Sequence, residues 1–80
     1  MPKIKTLSGK KVITILESFE FSILSQKGSH IKMVRISGGQ RQVLTIPNHK
    51  ELDKGTLRAI FLQSTRFISE SELRRYFYSD

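Results

Sequence analysis

The stretch that decides the fold is Phe21-Ser22-Ile23-Leu24-Ser25-Gln26-Lys27-Gly28-Ser29-His30-Ile31-Lys32-Met33-Val34-Arg35-Ile36-Ser37-Gly38-Gly39-Gln40-Arg41-Gln42-Val43-Leu44-Thr45-Ile46-Pro47. Two glycine turns, Lys27-Gly28-Ser29 and Gly38-Gly39, divide it into three runs rich in strand-forming residues. The runs are Phe21–Gln26, His30–Ser37 and Gln42–Ile46, the last stopped by Pro47. Short turns make neighbouring strands antiparallel, so a three-stranded meander is expected. Strand alternation puts Phe21 and Ile23 on one face of the first strand. In the second, His30 and Lys32 share a side and Ile31 and Met33 take the other. Val34 and Ile36 fall on the histidine's side, so alternation alone does not say which face turns inward.

Helices are expected on either side of the meander. Residues 1–6 read as a short basic lead-in, and Ser8 as a helix N-cap with Gly9, Lys10 and Lys11 in the first turn. Leu7 and Val12 stand at the spacing of a hydrophobic staple. Val12, Leu16 and Phe19, with Ile15 beside them, recur at helical spacing, and the helix is expected to end near Phe19 or Glu20. After the sheet, Asn48–Leu52 is a connecting loop containing His49. Asp53 then caps a second helix, with Leu52 and Leu57 as its staple and Leu57, Ile60 and Phe61 as its buried stripe. The pattern breaks near Ser64–Phe67. Ser69 with Glu72 forms a capping box, Ile68 with Leu73 a third staple, and Leu73 and Phe77 anchor a short terminal helix. The order is an α+β domain with helices on one face of an antiparallel sheet, occupying residues 1–80 as one unit.

Composition narrows the function. Eighty residues, 38% of them apolar, suffice for one small core. There is no cysteine, and two histidines far apart in sequence do not make a metal site. No apolar run approaches the roughly 18 residues of a membrane span, and no signal-peptide pattern is present, so a cytoplasmic location is expected. The charge is lopsided. Residues 1–50 hold nine basic and two acidic residues, whereas residues 51–80 hold five of each, so the whole formal excess of +7 lies in the first part. Such a one-sided positive field concentrates polyanions, and it equally suits an acidic protein.

The chemistry centres on Lys27-Gly28-Ser29-His30-Ile31-Lys32. Histidine exchanges protons near neutrality, and a lysine on either side suits a phosphate. No glycine-rich loop precedes a helix, and no carboxylate cluster is placed to hold magnesium. Ser29 beside His30 is not a hydrolase dyad, because neighbours in a strand point apart. Metal-free acid–base chemistry on an anion remains. RNA supplies a fitting reaction, since its 2′-hydroxyl is a nucleophile already close to phosphorus. His30 would carry a proton while Lys27 and Lys32 stabilise charge. A second anion site is the helix start Lys54-Gly55-Thr56-Leu57-Arg58. Lys10 and Lys11 add cations at the other helix start, and His49 is a candidate for an auxiliary role.

Lys27-Gly28-Ser29-His30 before a strand, Ile46-Pro47-Asn48-His49 after the third, and Gly55-Thr56-Leu57-Arg58 opening the second helix resemble the HicA (YcfA-like) toxins of toxin–antitoxin systems. The resemblance spans about residues 7–77. It implies a fold similar to the double-stranded-RNA-binding domain, α-β-β-β-α with a short C-terminal helix and a three-stranded antiparallel sheet. It also implies a metal-independent, ribosome-independent endoribonuclease that cleaves messenger RNA without a cofactor. The catalytic histidine would be His30. Lys10, Lys11, Lys27, Gly28, Ser29, Lys32, Lys54 and Arg58 would form the RNA-binding set. The partner would be a HicB antitoxin whose partial ribonuclease-H-like domain covers the active face. The family commonly has glycine where this chain has Glu20, and again near Thr65 and Arg66. Two other readings share the same face: a noncatalytic RNA-binding module, and an inactive homologue that serves an acidic protein.

Overall fold

The computed structural model describes residues 2–79. Met1 and Asp80, the ends of the expected 1–80 domain, lie outside the described residues. Helix α1 (Gly9–Glu17) starts as its cap dictates, the Lys11 backbone N–H donating to Ser8 Oγ at 3.0 Å. That bond satisfies one of the donors a first turn leaves open. Leu7 and Val12 are both buried, as a staple requires, and Ile13, Ile15 and Leu16 join them in the core.

The helix ends at Glu17, short of Phe19. Its closure explains the difference. The Phe21 N–H donates to Leu16 O at 3.1 Å and the Glu20 N–H to Glu17 O at 3.0 Å, the paired bonds of a Schellman closure. Glu20 takes the left-handed position that glycine commonly fills. With φ 73° it is the one non-glycine residue of positive φ among the described residues. A Cβ in that conformation costs about 1 kcal/mol.

Strands β2 (Ser22–Lys27), β3 (His30–Ser37) and β4 (Gln40–Pro47) form one antiparallel sheet in that order. Gly28 alone has positive φ (61°) in the first two-residue turn, the pattern of a type II′ hairpin. In the second turn Gly38 and Gly39 both do, at 58° and 77°, as a type I′ turn demands. So tight a turn pairs Ser37 with Gln40, which is why β4 begins two residues before the expected Gln42. Pro47 is the last paired residue of an edge strand, where a missing N–H is tolerated.

The first strand departs from expectation in two ways. It starts at Ser22, because Phe21 belongs to the helix closure and is buried, its ring 6.3 Å from that of Phe67. Phe21 and Ile23 do not share a buried face either. The register shifts between Ile23 and Ser25, leaving Leu24 as the extra residue of a β-bulge, and Ile23 is half exposed. In the other two strands the inward face is settled: Ile31 opposite Ile46, and Met33 opposite Leu44, are all buried. They form one core with Val12, Leu16, Leu57, Phe61, Leu73 and Phe77 from the helices.

Helix α2 (Lys54–Ser64) is capped by Asp53, and Leu52 and Leu57 are buried as its staple. No left-handed residue closes it at Thr65 or Arg66. Arg66 N–H donates to Gln63 O, and the Phe67 and Ile68 N–H groups both reach Ser64 O. Helix α3 (Glu70–Phe77) keeps the Ile68–Leu73 staple but not the expected capping box. Ser69 makes no cap bond; its hydroxyl lies 3.0 Å from Ser71 Oγ instead. The expected lead-in contains a short strand, β1 (Lys3–Ile4), antiparallel to β5 (Tyr78–Ser79).

One side chain joins the two helix ends that lack glycine. From the helix-covered side of β3, Arg35 donates through Nε to Gln42 Oε1 (2.8 Å), through Nη1 to Phe19 O (3.0 Å) and through Nη2 to Phe67 O (2.6 Å). Its guanidinium also stacks 4.9 Å over the Phe21 ring. Charge-assisted bonds to otherwise open carbonyls are among the stronger contributions a surface-near residue makes. Arg35→Met is therefore expected to destabilise the fold by about 2–3 kcal/mol in urea unfolding. Glu20→Gly is expected to stabilise it by about 1 kcal/mol, by relieving the left-handed strain.

Candidate nucleic-acid interface

The helix-free face of the sheet carries the central residues. Lys27, His30 and Pro47 form the row nearest the first turn, and Ser25, Lys32 and Thr45 the next. Cross-strand partners share a face, so Lys27, His30 and Lys32 stand together on the open side. His30 is exposed, and among the described residues no hydrogen bond ties its ring down. The turn beneath it is braced, Gln26 Nε2 donating to Gly28 O at 3.0 Å. Farther along, the same face turns apolar, with Val34 opposite Val43 and with Ile36 68% exposed.

Three backbone bonds gather the other expected residues at the His30 end. Asn48 N–H donates to Ser29 O at 2.6 Å, Gly9 N–H to His49 O at 2.9 Å, and Leu52 N–H to Leu7 O at 2.9 Å. The loop after β4 is thus tied to the His30 turn on one side and to the start of α1 on the other. The structure brings Gly28, Ser29, His49 and the helix starts bearing Lys10, Lys11, Lys54 and Arg58 to one end. The lysines and Arg58 are exposed. They do not all lie on one face: Lys27, His30 and Lys32 are on the open sheet, and the helix-borne cations are on the opposite layer.

Neither α1 nor α2 has an acidic residue in its first turn. Open N–H groups and the positive dipole end therefore meet added positive charge, an arrangement that disfavours folding slightly and favours a bound anion. Asp53 is the one carboxylate at the α2 cap. The Thr56 hydroxyl donates to its Oδ1 at 2.7 Å and the Thr56 N–H to Oδ2 at 2.9 Å. Those two bonds, the hydroxyl's first, hold its carboxyl below the ordinary carboxylate value. Among the described residues no group of three or more histidines and carboxylates is placed to hold a metal ion.

Residues 9–65, more than half of the chain, match the family described as "HicA toxin of bacterial toxin-antitoxin". The chain belongs to the HicA toxin family. It is accordingly a toxin of a toxin–antitoxin system, and an antitoxin is its implied partner. The matched region contains the His30 turn, the His49 loop and both cationic helix starts. No curated protein and no solved structure matches the chain. No described helix is long and apolar enough to cross a membrane.

Sequence reasoning missed two residues that build this HicA end. In the sequence Gly9 reads only as part of a first turn, and nothing in the spacing announces its close approach to the Pro47 carbonyl. Asn48 links the loop to the turn through its backbone, which no side-chain pattern announces. For Asp53 the outcome is specific. A lowered folded pKa contributes stability above the unfolded value, and that contribution fades as pH falls through the folded one. In an NMR titration the Asp53 carboxyl is expected to titrate below its value in an unstructured peptide. Thr56→Val is expected to raise the midpoint, because it removes the hydroxyl bond and keeps the backbone one.

Proposed function

We propose that this toxin is an endoribonuclease that cleaves messenger RNA in the cytoplasm, with His30 carrying a proton in a reaction that needs no metal or cofactor. The observation that carries the reading is the placement of His30: exposed on the open sheet, between Lys27 and Lys32, at the end where two cationic helix starts converge. In the proposed reaction the 2′-oxygen attacks the adjacent phosphorus and the bond from phosphorus to the 5′-oxygen breaks. A 2′,3′-cyclic phosphate and a 5′-hydroxyl result. His30 either takes the proton from the 2′-hydroxyl or gives one to the departing 5′-oxygen, and water serves the other oxygen, so that one proton passes overall from the 2′- to the 5′-oxygen. Lys27 and Lys32 offset the charge that grows on the phosphate oxygens. Lys10, Lys11, Lys54 and Arg58 hold neighbouring phosphates, Gly28 and Ser29 shape the turn, and His49 is the auxiliary group.

The partner in this reading is a HicB-like antitoxin. The apolar continuation of the open face, Val34, Val43 and Ile36 beside the basic end, offers a polynucleotide little and a covering protein a good deal. One partner could then occlude His30 while burying the aliphatic surface.

The test is incubation of the purified chain with defined RNA. His30→Ala is expected to lower cleavage by about 10²- to 10⁴-fold while RNA binding persists. EDTA is expected to leave the wild-type rate unchanged, and DNA of the same sequence to stay intact. Binding without cleavage by the wild type would leave only an RNA-binding module. Absence of any salt-sensitive RNA affinity would leave only a protein-binding role.

A further inference from the structure

Gly9 meets the rest of the chain more closely than a side chain would permit. A Cβ built on it would lie 2.1 Å from Pro47 O, 2.9 Å from Asn48 Cα and 3.0 Å from His49 N. All three are backbone atoms, so no side-chain rotation relieves the overlap. The other glycines lack this constraint. Gly28, Gly38 and Gly39 face open space, and Gly55 would meet only Asp53 Oδ2 at 3.3 Å. Gly9 is therefore required by close approach of backbone to backbone, not by a special φ.

The contact lies between the pieces of the proposed RNA end. Gly9 N–H donates to His49 O, and one residue earlier in that loop Asn48 N–H donates to Ser29 O. Pro47, whose oxygen a Cβ at position 9 would strike, is the residue paired with His30. Lys10 and Lys11 follow Gly9 directly, and both are exposed. A single absent methyl thus lets the α1 start, the His49 loop and the His30 turn interlock.

We infer that Gly9 is a positioning residue for RNA engagement: it seats the α1 start on the Pro47–His49 backbone and so fixes Lys10 and Lys11 relative to the His30 turn. This rests on the RNA reading proposed above. Any side chain at position 9 pushes α1 and the loop apart by about an ångström or more, since non-bonded carbon and oxygen need well over 3 Å. The Gly9–His49 bond is then lost, and the two lysines no longer sit in fixed register with His30.

The experiment compares Gly9→Ala with its parent, both carrying His30→Ala so that RNA is bound without being cut. Binding of a fluorescein-labelled single-stranded RNA is followed over a range of salt, at a temperature where circular dichroism shows both chains folded. Gly9→Ala is expected to bind about 10-fold more weakly and to lower the slope of log affinity against log salt by about 1.4, the contribution of two phosphate contacts. In ¹⁵N spectra the amides of Lys10, Ser29 and His49 are expected to shift, while those of Leu57, Leu73 and Phe77 stay in place. An unchanged slope with unchanged Ser29 and His49 amides overturns the inference, because a purely structural glycine would lower only the folded fraction. Should Gly9→Ala not fold, Asn48→Pro takes its place. It removes the donor to Ser29 without touching the first turn of α1, and a parental salt slope there overturns the inference as well. Failure of the RNA reading looks different: the parent itself shows no salt-sensitive RNA binding, and wild-type protein cuts nothing.

Discussion

Where the chain goes after β4 decides whether this fold has a functional end at all. A strand leaving the sheet at Pro47 could carry the next helix in many directions. Three backbone bonds, Asn48 to Ser29, Gly9 to His49 and Leu52 to Leu7, leave it one. Each links residues far apart in sequence, and each closes a loop whose entropy the core must offset. The offset comes from the staples that flank the same bonds. Leu7 with Val12, and Leu52 with Leu57, are buried next to the carbonyls and amides that pair. Apolar burial and backbone pairing thus act at the same place, and the helix starts are fixed as a consequence.

Much of the architecture was legible because it depends on local signals. Ser8 and Asp53 cap the helices expected of them, the glycine turns fall where three strands require them, and the stripe Leu57, Ile60, Phe61 is buried. What was not legible depends on contacts between distant residues. Nothing in the spacing around Arg35 announces that it bonds Phe19 and Phe67, 16 and 32 positions away. That bonding also settles the question alternation left open. Arg35 lies on the helix side with Ile31 and Met33, so Val34 and Ile36 face outward despite being aliphatic. The bulge at Leu24 and the pairing of Lys3–Ile4 with Tyr78–Ser79 are likewise choices of register, invisible to a window of ten residues. The Ser69 capping box failed for the opposite reason. Its sequence is right, but the hydroxyl turned to Ser71, and the adjacent staple alone was enough to start the helix.

The candidate site divides the same way. Strand alternation groups His30 with Lys32 and the turn puts Lys27 beside them in sequence, and the structure places all three on one face. That His49, Lys10 and Lys54 come to the same end could not be computed from spacing, because it follows from the backbone bonds of the 48–52 loop. Gly9 is the instructive case. In a first turn it draws no notice, and its reason is a carbonyl 38 residues away that leaves no room for a methyl.

The departures from the charge preference of helix ends share a location. Both helix starts bear lysine where a carboxylate would suit the dipole, and neither first turn holds an acidic residue. Fold stability alone would favour acidic residues in place of these lysines, whereas Gly9 is held by the close approach of the Pro47 carbonyl. At the other end, the terminal helix follows the usual rules, with Glu70 and Glu72 in its first turn, Arg74 and Arg75 in its last, and Arg74 paired to Glu70 at 3.5 Å. Positive charge is thus left unbalanced at the His30 end and balanced along the terminal helix. A surface that needed charge only to stay dispersed would have no reason to divide it so. In the RNA reading proposed above, bound phosphates supply the negative charge that the start of α1 lacks and that Asp53 alone provides at α2.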